Sequence, residues 1–315
     1  MTSGYDSNIE VDSELNDDSS YEDDVNSTYT ASLSSSVVDY PEKHGRRYHA
    51  YHEGRYLLPN DEEENSRLDI VHAMTMFIME NKLFLAPIGK NPQRVLDLCT
   101  GTGIWAIEFA DEFPSAEVIG NDLSPIQPSL VPPNLKFIVD DVESPWGYED
   151  KPFDYVHARF LVGGIKDMPR LVQQSYNCVK PGGWVEFQDW DSKMHSADGS
   201  LDGTMLNEYF EQIIPAFKKA GYDIRHGRNL EEWVKATGFE NIQVKKYLVP
   251  LGTWPKDKRQ KKIGALNYHQ FDQTLEGSAL AALTSIEGWR AEEVNVFAAK
   301  VRTDMKNPKI HGYLH

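Results

Sequence analysis

The chain has 315 residues, 40% of them hydrophobic, enough to bury a sizeable core in one large domain or two small ones. Its formal net charge of −17 argues against a surface built around nucleic-acid phosphates. Two distant cysteines, Cys99 and Cys178, give no disulfide framework, and no apolar run approaches the ~20 residues that span a bilayer, so a reducing compartment, nucleus or cytoplasm, is expected.

In chain order, the first 40 residues hold ten Asp/Glu, ten Ser and no Lys or Arg. Such a segment cannot bury enough apolar surface to order itself, so residues 1–41 are read as a disordered acidic tail and 42–315 as one domain. The tail's Ser beside Asp/Glu would suit acidophilic phosphorylation. The remainder carries 39 acidic and 32 basic residues. From 65 to 85, Leu68, Val71, Met74, Ile78 and Leu83 recur at helical spacing. "RVLDLCTGTG" (94–103) is a short apolar strand entering a glycine turn, and "IWAIEFADEFP" a helix stopped by Pro114. Further strands are expected in "AEVIGNDLSP", "LKFIVDDVESPW", "FDYVHARFLVGG" and "PGGWVEFQDWD", with "MPRLVQQSYNCV" a helix before the last of them. Strands alternating with helices imply a parallel sheet with right-handed crossovers.

After residue 191 a helix broken near Pro215, a second helix "NLEEWVKATGF" and a long alternating strand "ENIQVKKYLVPLGTW" are expected. Two more helices precede the closing "PKIHGYLH". "KDKRQKK" (256–262) reads as a solvated helix face or a nuclear-import patch.

Open parallel sheets bind ligands beyond the carboxyl ends of their strands. Three of those ends carry an acid: Asp97, Asp122 and Asp141. Gly101 and Gly103, with Ala106, also match a dinucleotide turn, so the glycines alone do not choose a cofactor. Asp97 does, because a carboxylate at the strand tip repels a pyrophosphate in a low-dielectric cleft. S-adenosylmethionine has no phosphate and carries an ammonium and a sulfonium that the same carboxylate favours. Asp122 is placed to accept from both ribose hydroxyls and Asp141 from the adenine amino group. Leu123 and Val142 stand beside those acids to cover the ring, and Cys99 and Thr102 complete the turn. A nicotinamide oxidoreductase is the alternative that Asp97 disfavours.

"VLDLCTGTGIWAIEFA", "VIGNDLSP", "FIVDDVESPW" and "FDYVHARF" resemble the first four motifs of class I S-adenosylmethionine-dependent methyltransferases, with Cys99 where glycine is commonest. Together with "RRYHAYHEGRYLLPNDEEENSRLDIVHAM", "PPNLKFIVDDVESPW" and "NPKIHGYLH", they closely resemble the fungal LaeA-like methyltransferases over residues 46–315. That resemblance implies a three-layer Rossmann-like α/β fold with a mostly parallel seven-stranded sheet. Residues 42–85 would form an N-terminal lid, 92–191 the cofactor core and 192–315 the acceptor side. Most relatives run on into an apolar strand where this chain stops at His315, so two expectations stand: a short closing antiparallel strand, or a truncated sequence.

The resemblance further implies velvet-family partners, control of secondary metabolism, and a protein or small-molecule methyl acceptor. A regulatory scaffold and a biosynthetic small-molecule methyltransferase stand as alternatives. In such a lid Tyr56, Asn60, Arg67 and His72 would line the site, with Arg67 on the cofactor carboxylate; the plainer reading pairs Arg67 with Glu63 on a helix surface. His157 and Arg159, at the fourth strand end, face the acceptor side, and His157 is the candidate base. Gln188, Asp189 and Trp190 would line the acceptor pocket or cap the next helix. Trp105 is either core or a cofactor contact. No Cys/His grouping has zinc-ligand spacing, so no metal is expected.

Overall fold

A computed structural model describes residues 35–43 and 45–315. Residues 1–34, most of the acidic tail, lie outside the described residues, as does His44. The described chain opens with one helical turn, α1 (Ser35–Val38), inside the span read as tail, and a small hairpin of β1 (Glu42–Lys43) and β2 (Arg46–Arg47). Helix α2 (Glu62–Ile78) begins where Asp61 accepts the Glu64 N–H. Glu62, Glu63 and Glu64 then place negative charge against the helix's positive amino end.

The core is a five-stranded, wholly parallel sheet of β3 (Arg94–Leu98), β4 (Glu117–Asp122), β5 (Leu135–Val139), β6 (Phe153–Arg159) and β7 (Val179–Gln188), in the order β5-β4-β3-β6-β7. The chain leaves β3 towards one edge, then returns to β3's other side with β6. That reversal opens a crevice at the carboxyl end of β3, which is where such sheets take ligands. Helix α3 (Ile104–Glu112) follows the glycine turn, and α4 (Met168–Cys178) leads into β7. One face of the sheet packs Leu96, Val156 and Leu171, and the other packs Val95, Trp105 and Phe109.

Beyond β7, helices α5 (Met205–Lys219), α6 (His226–Thr237), α7 (Lys258–Ala279) and α8 (Ala291–Met305) follow, with a π-helical turn Leu280–Thr284. Residues of α5, α7 and α8 enclose a core of their own around Phe210, Leu275 and Val301. Helix α5 runs unbroken through Pro215, contrary to the expected break. Ile213, Ala216 and Phe217 on either side of the proline are buried, and their packing outweighs the one helical hydrogen bond that proline removes.

The seven-stranded expectation is corrected to five. The long strand expected over "ENIQVKKYLVPLGTW" shortens to β8 (Val249–Pro250), which pairs antiparallel with β9 (Tyr313–Leu314) in a separate ladder. Residues 239–248 make no main-chain hydrogen bond with any described residue, and a strand without a ladder partner is not a sheet member.

Candidate cofactor site

The site is built on the turn after β3. Cys99 takes φ +52°, left-handed backbone that costs a residue bearing a Cβ. Asn121 holds that turn, its side chain accepting from Cys99 N–H at 3.1 Å and its carbonyl from Thr100 N–H at 2.8 Å. Gly101 and Gly103 also have positive φ. A Cβ on Gly103 would lie 2.4 Å from the Phe137 ring, so glycine there answers to sterics as well as to backbone shape.

The three acids converge on one cavity of about 130 Å3. Asp122 accepts from Gly101 N–H at 2.9 Å on one oxygen and from Ser124 N–H at 3.1 Å on the other. Burial pushes its carboxyl up to about 6, against the lowering pull of those backbone donors. The register sets Asp97 directly opposite His157 on β6, and the His157 Nδ1–H donates to Asp97 at 2.7 Å while the Thr100 hydroxyl donates to its other oxygen at 2.5 Å. Asp141 accepts from Glu143 N–H at 2.9 Å.

The segment before the fold core closes over these groups. Arg46 donates twice to Asp61, at 2.5 and 2.8 Å, and Asn60 N–H donates to the Arg47 carbonyl, clamping the two ends of the intervening loop. The loop is anchored at its middle as well, where Tyr222 donates to the Arg55 carbonyl at 2.6 Å. From it His52 Nδ1 reaches Asp141 at 2.9 Å, and Arg55 lies 3.6 Å from both Asp141 and Glu143. The charged density before the first strand is therefore a loop staked down by ion pairs over the third acid.

Asp97, Cys99, Gly101, Thr102, Asp122, Leu123, Asp141, Val142 and Tyr56 all line the cavity, as do Asn60, His72 and Arg159. Gly103, Arg67 and His157 do not. Arg67 is buried one layer away, bidentate to Glu64 at 2.6 and 2.8 Å and to Gln270 at 3.0 Å, so its partner is Glu64 rather than a cofactor carboxylate or Glu63. His157 is fully buried and stacked 3.7 Å from Trp105, whose own Nε1–H donates to the Leu83 carbonyl. Both rings are core, behind Asp97, and the Nε2 of His157 has no partner among the described residues. Gln188, Asp189 and Trp190 line a different groove, along β7, and Asp189 is held by His226 at 3.1 Å.

Sequence reasoning missed Asn121, Arg55 and Phe160. Phe160 carries φ +55° at the end of β6, stacks on Trp190 at 5.6 Å and lines both cavities. Its position just past a strand end in a doubly wound sheet was the only available signal.

At the end of β6, the Arg159 guanidinium donates to His72 Nδ1 at 2.6 Å, and His72 Nε2–H donates to Glu108 at 3.2 Å. Burial, then Arg159, pushes His72 down to about 4, and burial lowers Arg159 to about 10. Three carboxylates around one glycine turn would repel a pyrophosphate, whereas the ammonium and sulfonium of S-adenosylmethionine suit them.

This fold and site define a class I S-adenosylmethionine-dependent methyltransferase, and residues 44–244 match the family described as "Methyltransferase domain". The chain belongs to that family and, within it, to the LaeA-like methyltransferases. It is 42% identical to "Methyltransferase pytC" of Aspergillus terreus over 92% of this chain and 89% of that one. It is 36% identical to "Secondary metabolism regulator LAE1" of Cochliobolus heterostrophus, covering 86% and 91%. With "Protein-methionine methyltransferase laeA" of Emericella nidulans the identity is 34%, covering 86% and 73%. A solved Haemonchus contortus phosphoethanolamine N-methyltransferase 2 in complex with S-adenosyl-L-methionine aligns at TM-score 0.43 and 21% identity, covering 79% of this chain and 50% of that one.

Proposed function

We propose that the chain methylates a protein acceptor, a methionine thioether, as part of the control of fungal secondary metabolism. A velvet-type regulator would be its partner, and the nucleus or cytoplasm its place of action. Support for the regulatory part comes from relatives named as secondary metabolism regulators, and for the acceptor class from one named as a protein-methionine methyltransferase.

The observation that carries the acceptor class is the state of the two histidines. His72 has both ring nitrogens engaged, by Arg159 and Glu108, and His157 is sealed behind Asp97. Neither presents an unengaged lone pair to the cavity, since the free Nε2 of His157 lies outside its lining. A thioether asks for none, because its sulfur takes the methyl on a lone pair, becomes a sulfonium and loses no proton. S-adenosylmethionine supplies an activated methyl when bound, so the protein's task is to align acceptor and donor. Asp97, Asp122 and Asp141 would hold the cofactor, and Arg159 and Phe160 would border the acceptor.

The first test is calorimetric titration of S-adenosylmethionine and its demethylated product into wild type and Asp122→Ala. Two lost charge-assisted hydrogen bonds, each worth about 1.5–3 kcal/mol, predict at least about a hundredfold weaker binding in the variant. No binding to folded wild type would overturn the cofactor assignment. With labelled methyl donor and methionine-containing peptides, a thioether acceptor gives a rate flat in pH above neutrality. A rate that climbs with pH would mean an acceptor that must lose a proton. In a deletion strain, full rescue by Gly101→Val would favour a scaffold over an enzyme.

A further inference from the structure

With Arg67 bonded to Glu64, the cofactor carboxylate expected at that residue has no cation there to meet it. A second guanidinium is placed to do so. Arg159 ends β6 and lines the cofactor cavity, yet among the described residues no carboxylate stands within ion-pair distance of it. Its hydrogen bond goes to the ring of His72, which engages one of its N–H donors and leaves the rest of the fork open. The nearby carboxylates are taken: the two oxygens of Asp97 accept from His157 and Thr100, and Glu108 lies on the far side of His72. A largely buried cation without an anion is costly, and a ligand that brings one offsets the cost.

The sheet register says which anion. Leu98 is level with Asn121 on β4 and with Ala158 on β6, so Asp122 and Arg159 stand in one row, on the strands either side of the glycine turn. At ~4.8 Å between neighbouring strands, their backbones are about 10 Å apart. Across the carboxyl ends of β5, β4, β3 and β6 the charged groups therefore run Asp141, Asp122, Asp97 and Arg159, acids first and the cation last. S-adenosylmethionine carries the complementary order along its length. Adenine and ribose present N–H and O–H donors, the sulfonium and ammonium are positive, and only the carboxylate, at the far end, is negative.

We propose that Arg159 binds the carboxylate of S-adenosylmethionine through its open N–H donors, with His72 and Glu108 as positioning residues that hold the guanidinium in place. A planar fork suits a carboxylate, and donation from His72 Nε2–H to Glu108 keeps Nδ1 as the acceptor that steadies the fork. The guanidinium, at about 10, is still cationic at neutral pH. The assignment rests on S-adenosylmethionine as the cofactor and is independent of the acceptor. It also makes Arg159 the source of selectivity. Three acids by themselves favour the more positive ligand, which is the decarboxylated cofactor, with its ammonium and sulfonium and no anion. A preference for the intact cofactor has to come from a cation.

The test is calorimetric titration of the full chain with S-adenosylmethionine, its decarboxylated analogue and 5′-methylthioadenosine, the nucleoside without the amino acid. Wild type is expected to bind S-adenosylmethionine about a hundredfold tighter than the decarboxylated analogue. In Arg159→Gln that ratio falls to about one or inverts, while 5′-methylthioadenosine binds as it does to wild type, which reports an intact nucleoside end. Arg159→Lys, with the charge but not the fork, retains a preference of about tenfold. Wild type binding both cofactors within about threefold would overturn the proposal without recourse to a variant. So would an unchanged ratio in Arg159→Gln, an equal loss of all three ligands in that variant, or a raised acceptor KM with S-adenosylmethionine affinity intact. No binding of any of the three to folded wild type would overturn the cofactor assignment, and this proposal with it.

Discussion

The proposed hold of Asp122 on the cofactor ribose would tie binding to pH, because ribose hydroxyls donate to an ionised carboxylate and burial holds this one at about 6. S-adenosylmethionine affinity is therefore expected to be constant above pH 7 and to fall about tenfold per unit below pH 6, with proton uptake or release read by calorimetry in two buffers of different ionisation enthalpy. The sign is release on binding. In the free chain the same raised carboxyl favours the fold at low pH, and its contribution is lost as pH rises from 3.8 through about 6. His72, lowered from 6.5 to about 4, acts the other way, with a contribution present above 6.5 and lost as pH falls through about 4.

His157 acts through Asp97. His157→Phe keeps a ring against Trp105 and removes the donor to Asp97, so S-adenosylmethionine should bind about tenfold more weakly while the pH profile of methyl transfer stays put. A base in that position would have changed the profile.

The loop between β2 and α2 behaves as one element. A cavity of about 130 Å3 is smaller than the roughly 300 Å3 at which small-molecule pockets begin, so the loop has to move outward for a nucleoside to enter. Cofactor association is then limited by opening, and its observed rate should reach a plateau with concentration in stopped flow. His52→Ala with Arg55→Ala removes the contacts to Asp141 and Glu143 and should raise that plateau.

Helix α7 shows a second element-level constraint. Gly264 passes so close to the Gly252 carbonyl that a Cβ would lie 2.0 Å from that oxygen, and Gly252 N–H donates to the Gly264 carbonyl at 2.9 Å. Gly264→Ala pushes α7 off the β8 turn and is expected to cost about 2–3 kcal/mol, a fall in Tm of about 3–5 °C by calorimetry.

At the scale of the molecule, α2 joins the parts. Its Arg67 bonds Gln270 of α7, the Ile78 carbonyl at its end accepts from Arg259 at 2.8 Å, and Leu68 and His72 line the cofactor cavity. The described residues are thus expected to melt in one transition, and S-adenosylmethionine at a hundred times its Kd should add about 2.7 kcal/mol, a rise of several degrees in Tm. Two resolved transitions would separate the helical half from the sheet.

What the sequence by itself determined is the local part. Five apolar strands each end in a turn, three of those ends carry Asp97, Asp122 and Asp141, and Gly101 and Gly103 break the first turn. Each is written within about ten consecutive residues and answers to side-chain periodicity and backbone sterics, so fold class and cofactor were legible. What only the tertiary structure decided joins distant residues. His52 meets Asp141 across 89 positions, and Arg67 meets Gln270 across 203. Asn121 looks like any strand residue until its amide is seen holding Cys99. Residues 239–248 have the alternation of a strand, yet a strand exists only when a neighbour supplies the other half of its hydrogen bonds, and that neighbour is a property of the assembled sheet.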